Sequence, residues 1–315
     1  MSKKIWMRIG VSLALVVSLA FIVLASSSKV SVGSNVSVGS QVIAQDVITG
    51  EWTASLVDNN SRINLNSERR AEKGGRRNMG QTYDLTELGL SRDQVLSGGP
   101  AKFSLVREAG QIDCEGSFQN GKGSGTFRFA GNQSFLAAMK SRGFDFETAT
   151  SQGERDVEDI LFTAAALNVT TTLADDLASA GFGHLEVEDL FKAAIFKIDS
   201  AFMREMKASG FPHMGMEELV KARIFKIDAK FVSEAMQMGF GREPFESLVK
   251  MRIFRITPAF ITEVRNEGLS DLSVEEIVKL RIFKIDGEFI RKARAEGVPL
   301  EVERLVQRRI GVSHK

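Results

Sequence analysis

Hydrophobic positions follow three successive patterns along this 315-residue chain. After Lys3, Lys4 and Arg8, an uncharged apolar run from Ile9 to Ala25 leads into Ser26, Ser27 and Ser28. A basic start, an apolar stretch and small residues are the layout of a secretory signal, and a run of about 17 residues is also near the shortest that spans a bilayer. Residues 1–25 therefore predict a cleaved signal peptide or a retained N-terminal membrane anchor. With either goes an extracytoplasmic location, periplasmic or anchored at the cytoplasmic membrane. Residues 26–48 read as a linker, since Ser-Val-Gly-Ser-Asn-Val is followed at once by Ser-Val-Gly-Ser-Gln-Val.

From about Glu51 the period becomes two. Trp52, Ala54 and Leu56 alternate with polar neighbours, and Ile63 and Leu65 do the same beyond Asn59-Asn60-Ser61, which predicts a hairpin. A charged, glycine-rich stretch from Arg69 to Gly80 predicts a solvated loop, and Ser91 opens a short helical turn. Three more strands are expected at 102–107, 112–118 and 126–129, with Asn120-Gly121 turning between the last two. Residues 49–132 thus predict a small antiparallel β domain with Trp52, Phe103, Leu105, Phe118, Phe127 and Phe129 in its core. Cys114, the only cysteine, reads as a small buried strand residue.

The third pattern is a repeat. Ala194-Ile-Phe-Lys-Ile-Asp199 returns as Arg223-Ile-Phe-Lys-Ile-Asp228, Arg252-Ile-Phe-Arg-Ile-Thr257 and Arg281-Ile-Phe-Lys-Ile-Asp286, 29 residues apart each time. A fixed period of this size marks stacked supersecondary units. Asp199, Asp228, Thr257 and Asp286 stand at N-cap positions, each preceded by an isoleucine placed to staple against the fourth helical residue. Gly210, Gly239, Gly268 and Gly297 stand where the same helices end. Equivalent glycines at 143 and 181 extend the series, with an insertion in the polar stretch 148–156 of the first unit. Residues 133–315 are expected to form about six short helix pairs, so the fold class is α+β and multidomain: a small antiparallel β domain, then an α-helical repeat array.

Composition adds little. Forty-one basic and forty acidic side chains nearly cancel, which gives no charge argument for nucleic acid. His184 and His213 are one repeat apart and His314 is remote, with no His-Glu-x-x-His motif, so no metal site is expected. Gly121-Lys-Gly-Ser-Gly125 precedes a strand where a phosphate loop needs a helix. No catalytic residue set can be assembled and no cofactor is expected. Three basic groups remain. Lys197, Lys226, Arg255 and Lys284 form a row with one cation per unit, the candidate partner-binding feature, although cations also suit helix C-termini. Arg223, Arg252, Arg281 and Arg309 fall within an apolar arc, where each head must snorkel or meet a carboxylate or carbonyl of the next unit. Arg69, Arg70, Lys73, Arg76 and Arg77 belong to the glycine-rich loop.

Gly50-Glu51-Trp52, Tyr83-Asp-Leu-Thr-Glu-Leu88, the stretch from Gly98 to Phe127 and the Leu-Val-x-x-Arg-Ile-x-x-Ile-x-x-x-Phe repeats together resemble the extracytoplasmic region found with bacterial antirepressor metallopeptidases of the beta-lactam-sensor type. The protease part, with its zinc-binding helix, has no counterpart here, so the resemblance carries over no catalytic residue. It implies a sensory or protein-binding accessory module of the bacterial envelope. The sequence thus reads as a non-catalytic, exported or membrane-tethered scaffold that binds an envelope protein through its helical repeats. The alternative is an envelope ligand-sensing or signalling module.

Overall fold

The computed structural model describes residues 47–57, 61–70, 75–151, 156–181, 184–241 and 243–311. It has an α+β fold, a six-stranded antiparallel sheet followed by an array of helices. The strands are β1 (Ile48–Val57), β2 (Arg62–Arg70), β3 (Arg76–Asp84), β4 (Gly99–Arg107), β5 (Gly110–Gln119) and β6 (Lys122–Gly131), in the order β3-β2-β1-β6-β5-β4. Two three-stranded meanders are therefore joined by the β1–β6 pair. Asn120 and Gly121 both take the left-handed conformation between β5 and β6, the geometry that a two-residue hairpin turn demands. Lys122 to Gly125 belong to the strand.

The sheet has one strand more than the hydrophobic pattern predicts, and the stretch read as a solvated loop is its cause. Arg69 and Arg70 end β2, and β3 begins at Arg76. β3 carries no sequence signal of its own, because an edge strand with few buried positions shows no alternation of apolar residues. At the middle of the sheet, Trp52 is almost fully buried and donates its indole N–H to the Glu115 carbonyl at 3.2 Å. Glycines make room for it. A Cβ on Gly116 would lie 2.7 Å from the indole, and one on Gly123 would lie 2.9 Å from it.

A short helix, α1 (Arg92–Ser97), capped by Ser91, lies between β3 and β4. The array then comprises α2 (Gln133–Lys140), α3 (Phe146–Ser151), α4 (Val157–Ala166), α5 (Thr171–Ser179), α6 (Val187–Phe196), α7 (Ser200–Ala208), α8 (Met216–Phe225), α9 (Ala229–Gln237), α10 (Phe245–Ile253), α11 (Pro258–Asn266), α12 (Val274–Ile282), α13 (Gly287–Ala295) and α14 (Val302–Arg309). The insertion in the first unit carries the extra helix α3. Helices α6, α8, α10, α12 and α14 pack each on the next as one row. The second row lies beside it, with α2 on α5, α5 on α7 and α11 on α13. The helices of the two rows have eight to ten residues and α3 only six, too short to persist alone, so stacking stabilises them. The last helix turns Val302, Leu305 and Val306 inward and leaves Glu303, Arg304 and Arg308 exposed.

Sheet and array meet through α4. Among the described residues it is the most completely buried helix, packed on β4, β5 and β6. Phe162 stacks on Phe127 and meets Phe129 edge-on, both with ring centroids 5.4 Å away. Tyr83 of β3 donates its hydroxyl to the carbonyl of Ala166 at 3.0 Å. Since β3 and β4 are opposite edges of the sheet yet both reach this helix, the sheet must bend around it. One apolar core consequently runs unbroken from Trp52 to Val306.

The expected transmembrane helix, and with it the membrane as a partner, is corrected: among the described residues no helix is long and apolar enough to cross a membrane. Residues 1–46, on which the signal-peptide or anchor reading rested, lie outside the described residues.

Candidate interaction surface

Each internal unit turns from its first helix to its second through the Ile-Phe-Lys segment. Lys197, Lys226, Arg255 and Lys284 adopt the left-handed backbone conformation, with φ of 53°, 54°, 52° and 51°. The next residue then closes the turn: the amides of Ile198, Ile227, Ile256 and Ile285 donate to Ala193, Ala222, Met251 and Leu280 at 2.8–2.9 Å. These are Schellman-type ends, in which glycine or asparagine ordinarily supplies the left-handed residue. A residue with a Cβ gives up about 1 kcal/mol or more there. The flanking units follow the ordinary rule, with Asn168 at φ 55° after α4 and Gly311 at φ 75° after α14.

The carbonyl groups at these turns are used by the arginine ladder. Arg223 donates Nη2 to the Lys197 carbonyl and Arg252 donates to that of Lys226, both at 2.6 Å; Arg281 donates to that of Arg255 at 3.0 Å. The same guanidinium groups lie 3.7, 3.7 and 3.9 Å above the rings of Phe202, Phe231 and Phe260. Arg309, in a unit shorter by one residue, shifts to the carbonyl of Phe283 at 2.9 Å. The arginines are thus absorbed by the fold.

The cap residues are absorbed too. Asp199, Asp228, Thr257 and Asp286 accept the backbone N–H of Phe202, Phe231, Phe260 and Phe289. Gly210, Gly239, Gly268 and Gly297 end the second-row helices with φ of 78–101°. A further set of lysines ties neighbouring units together: Lys192, Lys221, Lys250 and Lys279 bond Glu217, Glu246, Glu275 and Glu303 of the next first-row helix.

The row is different. All four of its side chains are exposed, and among the described residues none has a hydrogen-bond or ion-pair partner. Beside them, Ile195 is 49% and Ile224 38% exposed, while Ile253, Ile282 and the phenylalanines at 196, 225, 254 and 283 are half-buried. The array edge therefore presents a cation at each of the four internal turns, beside an isoleucine that is exposed in the first two units and half-buried in the next two. The isoleucines were visible in the sequence as repeat anchors but not as surface, because period alone does not say which apolar positions lie outside the packed stripe.

The arginine-rich segment gives a second charged cluster, and it is internal. Arg69 is buried over the Phe162 ring and donates Nε to Asp159 Oδ1 at 2.8 Å, while Arg77 Nη1 lies 3.0 Å from Asp159 Oδ2. Burial pulls the Arg69 guanidinium below its ordinary pKa, against the raising effect of Asp159. Arg76 pairs with Glu68. This cluster joins β2 and β3 to α4, which makes it a structural clamp. Lys73 and His314 lie outside the described residues. His184 is exposed beside Glu186 and His213 is exposed one unit on; among the described residues no group of three or more metal-ligating side chains converges.

No protein-family model, curated protein or solved structure matches the chain.

Proposed function

We propose that the chain is a non-catalytic interaction scaffold that binds a protein partner along the Ile-Phe-Lys edge of its first-row helices. The observation that carries this reading is the row of cations without a partner among the described residues, one at each internal turn and flanked at two of them by an exposed isoleucine, where the ladder arginines and cap residues already have structural partners. An extended array of units is suited to a long ligand, because each unit adds the same few contacts. The likeness of four segments to an extracytoplasmic accessory region, and the basic-apolar-small layout of residues 3–28, support a site of action outside the cytoplasm.

Site-specific photo-crosslinking in the full chain tests it. A crosslinking residue at Ile195 or Ile224 should yield the same discrete protein adduct, and one at Lys230, exposed on the second row, should yield none. Absence of any adduct, or equal adducts from all three sites, overturns the proposal.

A further inference from the structure

We infer that the occupant of this edge is an extended, acidic polypeptide segment carrying a carboxylate at about every third residue, with apolar side chains between. The inference rests on the scaffold reading above and names the chemistry of its partner.

Charge is the first ground. The four internal turns hold Lys197, Lys226, Arg255 and Lys284, together with the ladder arginines 223, 252 and 281, against three cap aspartates, 199, 228 and 286. Those aspartates are already occupied by backbone N–H groups, and the third unit replaces its acid by Thr257. The edge is therefore cationic although the whole chain is close to neutral.

The backbone supplies the second ground. A helix C-terminus favours a cation in any unit, yet the two flanking turns use Asn168 and Gly311, the residues that relax in the left-handed region. Only the four internal turns accept the conformational penalty and keep a long basic side chain. What those units retain is the side chain itself, and among the described residues no group bonds to it.

Spacing defines the ligand. Packed helices repeat at about 8–10 Å, which an extended strand covers in about three residues at 3.3 Å each, as does one turn of polyproline II. Neighbouring cations then lie about one Debye length apart in physiological salt, so a single acid gains from one unit and only a spaced series gains from all. The exposed Ile195 and Ile224 favour a polypeptide over a sugar-phosphate backbone, since apolar contact stabilises the former and gives the latter nothing.

The test is fluorescence anisotropy with the full chain and three labelled probes: the peptide (Glu-Pro-Leu)4, a blocked isomer with its four glutamates contiguous, and a twelve-nucleotide oligothymidine. The spaced peptide should bind about tenfold more tightly than the blocked isomer or the oligonucleotide, and less tightly as salt rises. The fourfold variant K197N/K226N/R255N/K284N should lose that binding with its melting temperature unchanged or raised. Equal affinity for both peptides, tighter binding of the oligonucleotide, or undiminished binding by the variant overturns the inference. If the peptides fail while Ile224 still crosslinks to a discrete protein, the scaffold stands and the acidic class falls; if both fail, the scaffold reading falls as well.

Discussion

Arg252 holds its guanidinium 3.7 Å above the ring of Phe231 and donates Nη2 to the carbonyl of Lys226 at 2.6 Å. One side chain thereby ties α10 to both the end of α8 and the start of α9. Replacing it by alanine removes a cation–π contact and a charge-assisted hydrogen bond, and should cost about 1–3 kcal/mol in urea unfolding of the full chain. Arg252→Lys should recover less than half of that loss, because an ammonium cannot lie flat on the ring while pointing a second donor at the carbonyl. Full recovery by lysine would show that charge alone matters.

The basic row leads to the opposite expectation. Lys226→Gly relieves the left-handed strain at φ 54° but gives up a favourable charge at the C-terminal end of α8, effects of about 1 kcal/mol and 0.3–1 kcal/mol respectively. Stability should therefore stay level or rise slightly, measured by the same unfolding experiment. A loss above about 1 kcal/mol would mean that the lysine supports the fold after all.

Second-row helices carry a matched pair of controls. Glu263 accepts the backbone N–H of Gly287 at 2.8 Å, just as Glu205 accepts that of Ala229 and Asp176 that of Ser200. Glu234 holds the equivalent place, but the residue it would meet is Pro258, which has no N–H. Glu263→Ala should therefore cost about 1 kcal/mol, and Glu234→Ala close to nothing. Equal losses would show that these carboxylates act through general electrostatics.

Asp159 is the sole acidic partner of buried Arg69 among the described residues. Asp159→Asn strands that guanidinium in the interior and should destabilise the chain by about 3–5 kcal/mol. The double variant Arg69→Met, Asp159→Leu, which replaces the pair by apolar side chains, should return most of the loss. Calorimetry of the three proteins distinguishes a clamp from a spectator.

Burial pushes the Cys114 thiol from its ordinary value near 9 up to about 12. The folded state then holds this proton more tightly than the unfolded state, so the stability it contributes is intact below pH 9 and declines as pH rises from 9 toward 12. Iodoacetamide at pH 8 should label Cys114 only when urea unfolds the chain. Cys114→Ala should flatten the alkaline decline in part, since buried Tyr83, whose hydroxyl is also shifted upward by burial, acts in the same direction. Rapid labelling of the native protein would contradict the burial.

The array was readable from the sequence because each device in it is local. An N-cap, a staple and a terminal glycine all act within a few residues, and repetition made each legible several times over. The sheet was read less well. β3 contributes few buried apolar residues, so nothing in its own composition distinguishes Arg76–Asp84 from a loop; its place is set by pairing with β2 and by Tyr83 reaching Ala166. Arg69 shows the same limit in reverse, being a charged residue beside glycines whose burial depends on Asp159, 90 positions away. At the interaction surface the cations were visible from their period. The exposure of Ile195 and Ile224 was not, since it depends on how successive units stack.

The bent sheet covers one end of the helical stack through α4, and α14 closes the other with charged residues facing solvent. Between these two stoppers the units are closely alike, each first-row helix from α6 onward tied to the next by a lysine–glutamate pair and, from α8 onward, carrying an arginine rung. Duplicating or deleting one 29-residue segment would leave both stoppers untouched and change the length of the cationic edge by one step. The architecture works as a molecular ruler, whose graduations descent could add or remove without redesigning the fold.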